Sequence, residues 1–395
     1  MTQLSSLHVP STGGIRVFGE TPRKLRIQRR QVLRRLAELG LTPYVEETSS
    51  PQPGQLSTGF RLRQDPDTAF SLSRDTTALC EAFGLDSFAD PRDLEREIWL
   101  AMLVSPVIID FPSFAEIESA VRIRMNIVAA ARKTFVRFDT MQVDRPTDYW
   151  TWDDDCGFLL NRGKSLVRAI EVAMQPGVSD RIFAFSCKRA GEYLVLLGLA
   201  KEAEAINPAL YRRLVKQSQT CALRGDDYDN AYLQKLGTPE EPLPPRFFIP
   251  GDRVWFRNPD KFSSDITGFE GSFTVYIGGG RFPNFWKKNR TETLITKCLT
   301  LYFWREAVYQ NAEGEWQVDE PLADRLVEQA LKDPERVEQI VDEMMQWQEP
   351  NWEGGAMEPS RDCARFVRPG TEDFDLPDAP KPVWQAEFIG SRVNR

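Results

Sequence analysis

The residues best suited to chemistry lie in one stretch, Phe183-Ala184-Phe185-Ser186-Cys187-Lys188-Arg189-Ala190-Gly191-Glu192. A short apolar run ends at Ser186-Cys187. A long apolar pattern at helical spacing begins there, carried by Leu194, Val195, Leu197, Leu199 and Ala200. A cysteine at that junction sits where unpaired backbone N–H groups and the positive end of a helix dipole converge. Both favour the thiolate, the nucleophilic form. The competing reading is a small buried core thiol, a common fate of free cysteine. Composition constrains the base. The chain has one histidine, His8, close to its start. A Cys–His pair or a His-rich metal site is therefore nearly excluded, and a carboxylate or something weaker must act as base.

The remaining candidates are weaker. Cys80, Cys156, Cys221, Cys298 and Cys363 are scattered without a CxxC pair and read as reduced thiols. Asp153-Asp154-Asp155 lacks the spaced Asp/Gly/Glu pattern of a calcium loop and reads as a turn. Gly278-Gly279-Gly280 has neither a following helix nor Gly-Lys-Ser/Thr, so it reads as a hairpin turn rather than a phosphate loop. No metal and no cofactor is implied. A net charge of −8 and a pI of about 5.1 argue against a nucleic-acid partner. No stretch is long and apolar enough to span a membrane. Met1-Thr-Gln-Leu-Ser-Ser-Leu-His shows no secretory pattern, so residence in the cytoplasm is the expectation.

The elements that must position Cys187 follow from periodicity and punctuation. Residues 1–20 read as loosely ordered. Thr21-Pro22 opens an Arg-rich helix to about Leu39, a solvated face or a docking surface for an acidic protein partner. Residues 41–72 read as loop with a hairpin, and 74–84 and 92–104 as helices. Phe114 to Arg132 is a helix, followed by 164–174, the Cys187 helix and a helix to about 218. Residues 219–245 read as an acidic surface loop. Two strand signals follow: Arg246 to Pro259, a turn feeding an alternating strand, and Ser272 to Phe282, a strand, the triple-glycine turn and a second short strand. Helices are expected at 289–308 and 320–347. From Pro350 onward the Pro/Asp/Glu-rich chain reads as surface wrapping or disorder.

A cysteine at a helix start, then Pro-Gly-Asp leading a hydrophobic strand, then Val-Tyr-Ile-Gly-Gly-Gly-Arg-Phe, resembles the papain-like core of the NlpC/P60 superfamily. A closer resemblance is to the bacterial protein-glutamine γ-glutamyltransferases of the spore-coat type. Four stretches carry it: Ile123-Arg-Met-Asn-Ile-Val-Ala-Ala-Ala131; Tyr149-Trp150 with Gly157-Phe-Leu-Leu; Phe183 to Cys187; and Phe247-Phe248 through Gly251-Asp252 to Phe256-Arg-Asn-Pro259. Together they span roughly 105–305. The resemblance implies acyl transfer from a protein glutamine through a cysteine thioester to a lysine amine or to water, with a glutamate rather than a histidine as partner. The chain departs from the pattern in three places. Ser272 stands where the strand glutamate falls, with Glu270 two residues earlier and on the same side of a strand. Ser186 replaces an acidic residue. Asn284 and Phe285 stand near the position of a second-strand histidine.

The expectation is thus an α+β protein with a papain-like, NlpC/P60-type core at 106–310, its nucleophile helix packed on an antiparallel sheet. A helical N-terminal extension (1–105) and a helical, then Pro-rich C-terminal extension (311–395) flank it. Cys187 is the expected nucleophile, Glu270 the base, and Ser272 its neighbour at the site. Trp150, Trp255, Phe269 and Trp286 are candidate walls for a substrate side chain, or core. Asp252 and Asn284 are candidate polar contacts, though the commoner role of an aspartate such as Asp252 is to tie down a turn. The alternatives are an NlpC/P60-like amidase or peptidase, and a non-catalytic binding protein on a decayed fold.

Overall fold

The computed structural model describes residues 13–48, 55–63, 75–140, 142–349 and 353–377. The chain mixes helices with several small sheets. At its centre is the helix Cys187–Ile206, buried on nearly every face from Ala190 to Ala203. A helix apolar all round has to be surrounded, and this one is. The helix Phe114–Ala131 lies against it so closely that a Cβ at Gly198 would come within 2.4 Å of Ile127 Cγ1 and 3.0 Å of the Ile123 carbonyl. Only glycine permits that approach.

The sheet that carries the site has the strand order Gly271–Val275, Arg253–Arg257, Arg361–Ala364, Leu233–Leu236, all antiparallel. Two of these strands correct the sequence reading. Residues 225–236 are not a surface loop: Gly225–Tyr232 is a helix that buries Tyr228 and Tyr232, and Leu233–Leu236 is a strand. Residues 361–364 do not wrap the surface but form an interior strand of the sheet. Arg253, 2% exposed, holds that strand through Asp362 at 2.6 Å and reaches Asp229 at 2.7 Å. Charged residues in an interior strand hide it from a hydrophobic pattern.

The N-terminal region is also less helical than expected. Residues 14–18 form a strand between Ser57–Leu62, antiparallel, and Ile108–Phe111, parallel, and Val45–Thr48 completes a four-stranded sheet. Ile15 and Val17 are buried, and the helix Pro22–Glu38 turns Val32 and Leu36 inward. Arg16 is 6% exposed and pairs with Asp110 on the neighbouring strand at 2.6 Å. The expected hairpin in 41–72 is present as Val45–Thr48 and Ser57–Leu62. Residues 1–12 lie outside the described residues.

Gly278, Gly279 and Gly280 all have positive φ, 82°, 58° and 67°, and turn the chain between Gly271–Val275 and Arg281–Pro283. The turn encloses the carboxylate of Glu97, from the helix Pro91–Leu103. Glu97 is fully buried and accepts from the Gly279 N–H at 3.0 Å and the Tyr276 hydroxyl at 2.9 Å. A second apolar core, built on Phe248, Phe256, Phe282 and Leu299, is closed by the helices Glu320–Ala330 and Pro334–Met344.

Candidate active site

Cys187 is the first residue of its helix. Ser186, at a position where the resemblance leads one to expect an acid, is the N-cap: its Oγ accepts the Arg189 N–H at 3.3 Å. The segment before it is fixed from both sides. Asp144 Oδ1 accepts the Ala184 N–H at 2.6 Å, and Arg145 donates to the Ala184 carbonyl at 2.7 Å. The Arg145 guanidinium lies 3.3 Å from the Phe185 ring centroid. Neither residue carries a motif that sequence reading could have used.

The sheet register supplies the next group. The Asn258 N–H donates to the Glu270 carbonyl at 3.0 Å and the Tyr276 N–H to the Asp252 carbonyl at 3.0 Å. These contacts set the hydrogen-bonded pairs of the two strands, so the opposed pair Trp255 and Phe273 is a non-bonded one. The Phe273 N–H therefore points off the open edge of the sheet, on the side from which it acts on the Cys187 thiol. The Lys188 N–H, at the start of the helix, acts on that sulfur in the same sense.

Cys187 is half-buried, and burial pushes its thiol above the ordinary value. The Phe273 N–H, the Lys297 ammonium and the Lys188 N–H act in the opposite sense, and the Glu270 carboxylate acts with burial. Desolvation of the charged form wins. Burial thus works against the helix start, which taken alone favours the thiolate. A thiol kept neutral needs a base at the moment of attack.

Glu270 lies at the head of the edge strand, half-buried, and both its carboxylate oxygens accept the Gly268 N–H at 3.1 Å. Ser272, in the edge strand, is opposite Phe256. Trp255 stacks on Phe273, centroids 4.4 Å apart, on the face toward the Cys187 helix. Asn284 Oδ1 accepts the N–H groups of Trp286 and Lys287, both at 3.1 Å, and its Nδ2 is 3.5 Å from Glu292 Oε1.

The other candidates are held by their own neighbours. Asp252 is fully buried: Oδ1 takes Arg124 at 2.6 Å and Oδ2 the Ile249 N–H at 2.7 Å. It ties a turn to the helix Phe114–Ala131. Trp150, 4% exposed, donates to the Ala169 carbonyl at 3.2 Å and lines a small cavity with Phe158, Tyr193 and Cys221. Phe269 packs edge-on against Trp304 at 5.0 Å, and Trp286 against Phe138 at 5.1 Å. Sequence reasoning missed Lys297 and Glu292, and no spacing rule links them to Cys187. Among the described residues no cluster of three or more His, Cys, Asp or Glu could hold a metal ion, and no helix is long and apolar enough to cross a membrane.

A thiol at a helix start, two backbone N–H donors and a nearby carboxylate are the parts a cysteine acyl-transfer centre needs. Residues 80–351 match the model of the protein-glutamine gamma-glutamyltransferase family, and the chain belongs to that family. A protein-glutamine gamma-glutamyltransferase of Halalkalibacterium halodurans is 28% identical over 211 residues, 51% of this chain and 66% of the relative. The chain thus matches just under two thirds of that relative's length. Among solved structures, a transglutaminase from Geobacillus stearothermophilus without its C-terminal extension aligns at 19% identity with a TM-score of 0.37, over 54% of this chain and 98% of that one.

Proposed function

We propose that this chain is itself a protein-glutamine γ-glutamyltransferase, with Cys187 as nucleophile, Glu270 as base and a papain-like arrangement of helix and sheet around them. The observation that carries the reading is a half-buried cysteine at the first position of a buried helix, whose next residue, Lys188, reaches the Phe273 ring of the sheet's edge strand at 6.0 Å. The chain's only histidine is His8, outside the described residues.

In the first half-reaction Glu270 takes the thiol proton as Sγ attacks the carboxamide carbon of a protein glutamine. The oxyanion that forms lies near the N–H groups of Phe273 and Lys188. The proton passes from Glu270 to the leaving nitrogen, the C–N bond breaks and ammonia departs, leaving a thioester. In the second half-reaction Glu270 takes a proton from a lysine amine, or from water. The new C–N or C–O bond forms, the C–S bond breaks and the sulfur regains its proton. An isopeptide crosslink or a glutamate is the product. Trp255 and Phe273 form the apolar wall beside the thiol.

The partners are protein substrates donating glutamine and accepting through lysine. On the N-terminal helix, Arg29 pairs with Glu47 at 2.6 Å and Arg35 with Glu95 at 2.5 Å. Arg23, Arg26 and Arg30 are exposed around Ile27 with no partner among the described residues. They form the face proposed for an acidic protein partner.

The test is mass spectrometry of a glutamine-rich acceptor protein incubated with the chain and a labelled primary amine, beside Cys187→Ala and Glu270→Gln. Amine incorporation that is lost in Cys187→Ala is the expected result. A gain of about one mass unit without amine means that water takes the thioester. No modification of any acceptor would overturn the reading.

A further inference from the structure

Two cysteines far apart in the chain meet beside the nucleophile helix. Cys156 ends the turn between the strands Trp150–Asp153 and Gly157–Leu160, and its N–H is held by Asp153 Oδ1 at 2.8 Å. Cys221 follows the helix Pro208–Thr220 as its C-cap and is 2% exposed. The Ala222 N–H donates to the Cys156 carbonyl at 2.9 Å. The Cys221 Sγ lies 4.0 Å from the same carbonyl oxygen, so the side chain turns toward Cys156. One hydrogen bond and two short backbone steps separate the two Cα atoms, a span on the order of 6 Å. A disulfide bridges that span without strain.

The two segments are docked as well as adjacent. Gly157, with φ 77°, has no room for a side chain, since a Cβ there would come within 1.7 Å of Arg224 Nη2. The Arg224 guanidinium lies 5.8 Å from the Trp152 ring centroid. The Leu223 carbonyl accepts from Arg189 at 2.8 Å, and Arg189 lies in the first turn of the Cys187 helix. Residues 221–224 are therefore held by the hairpin on one side and by the nucleophile helix on the other. Other thiols face different groups. Cys80 is 3.2 Å from Ser87 Oγ, Cys298 3.8 Å from Met345 Sδ and Cys363 3.2 Å from Arg124. Burial, and after it the Cys156 thiol, pushes the Cys221 thiol up to about 12. Cys156, half-buried in its turn, is the thiol a reagent reaches first.

We propose that Cys156 and Cys221 form a modification site, a thiol pair that a small disulfide such as oxidised glutathione converts into an intramolecular disulfide with the backbone unchanged. The Cys156 thiolate attacks one sulfur of the oxidant. A mixed disulfide forms, and one glutathione leaves and takes up a proton. Cys221 then gives its proton to water and attacks Cys156 Sγ, and the second glutathione leaves and is protonated in turn. Two protein thiols are oxidised and one glutathione disulfide is reduced to two thiols. The new bond links positions sixty-five residues apart. It fastens the Trp150–Leu160 hairpin to the segment that anchors Arg189, and it is independent of the reaction Cys187 performs.

The test treats the full, folded chain with oxidised glutathione, alkylates it with iodoacetamide in denaturant, and maps the peptides by mass spectrometry without reductant. Cys156→Ser and Cys221→Ala run alongside. The expected result in wild type is a linked peptide holding Cys156 and Cys221, absent from both variants and released by dithiothreitol. In Cys221→Ala the glutathione should stay on Cys156, because no second thiol displaces it. The linked chain should unfold at higher urea than the reduced one, since the bond restricts the unfolded chain. Glutathione that persists on Cys156 in wild type, or both thiols still open to alkylation, would overturn the proposal. So would a linked chain that unfolds at lower urea than the reduced one, which would show that the pair is not pre-arranged.

Discussion

Replacing Glu97 with glutamine should unfasten the glycine turn from the helix behind it. The carboxylate is fully buried and receives the Tyr276 hydroxyl at 2.9 Å, the Gly279 N–H at 3.0 Å and the Cys80 thiol at 3.3 Å. Burial, together with the negative charge of Glu97, pushes the Cys80 thiol up to about 11. Hydrogen bonds to a charged acceptor contribute about 1.5–3 kcal/mol each. A glutamine keeps the shape and one acceptor oxygen, but its NH₂ must face a donor. The loss is therefore close to one such bond, about 2–3 kcal/mol, or roughly 30- to 140-fold in the folding equilibrium. The measurement is urea unfolding of wild type, Glu97→Gln, Tyr276→Phe and the double variant, followed by tryptophan fluorescence. A coupling of about 1 kcal/mol or more between the two sites is expected, because the residues share a hydrogen bond. A single-variant loss under about 0.5 kcal/mol, or strict additivity, would refute the view that the carboxylate holds the turn.

Two further expectations concern the body of the site. Arg124→Met leaves Asp252 as an unpaired charge at 0% exposure and should cost about 3–5 kcal/mol. Urea unfolding of this variant and of Arg124→Met/Asp252→Asn, which should regain part of the loss, checks it. In wild type the Cys187 thiol is raised by burial, so its thiolate fraction grows only as pH climbs past the range of an ordinary thiol. Iodoacetamide should label it more slowly at pH 7 than an exposed cysteine of a control peptide, with the difference closing as pH rises. Faster labelling at pH 7 would show a resting thiolate and remove the need for Glu270 as base.

The parts of the site legible in the sequence are those that local pattern controls. Cys187 was found because an apolar helix of one period begins at the residue after a strand-like run. Gly278 to Gly280 were readable as a turn because only glycine accepts three positive φ values in succession. The strand Gly14–Phe18 was not legible, since its Arg16 is buried only by virtue of Asp110, ninety-four residues away. Arg361–Ala364 was hidden for the same reason, as its charges are satisfied by Arg253 and by carbonyls such as that of Phe247 at 3.0 Å. The Phe273 N–H has no signature at all, because which way an amide points depends on the partner strand's register. The Lys297–Glu292 pair could not be chosen from among many lysines and glutamates without knowing that both are buried.

Truncation at residue 311, which the sequence alone would suggest as a way to free the core, would remove the strand between Arg253–Arg257 and Leu233–Leu236. That strand bears on synthesis. A ribosome delivers the chain from its N-terminus, so the nucleophile and both strands that face it emerge well before Arg361–Ala364. Until then Arg253 has no Asp362, and two strands present bare edges to the surrounding solution. The nascent chain therefore passes through an interval of more than a hundred residues in which the thiol exists and its sheet does not. Premature termination between Val275 and Arg361 leaves a product with open strand edges, prone to pairing with another chain. The late strand thereby closes the sheet only after the nucleophile and the strands Arg253–Arg257 and Gly271–Val275 have emerged.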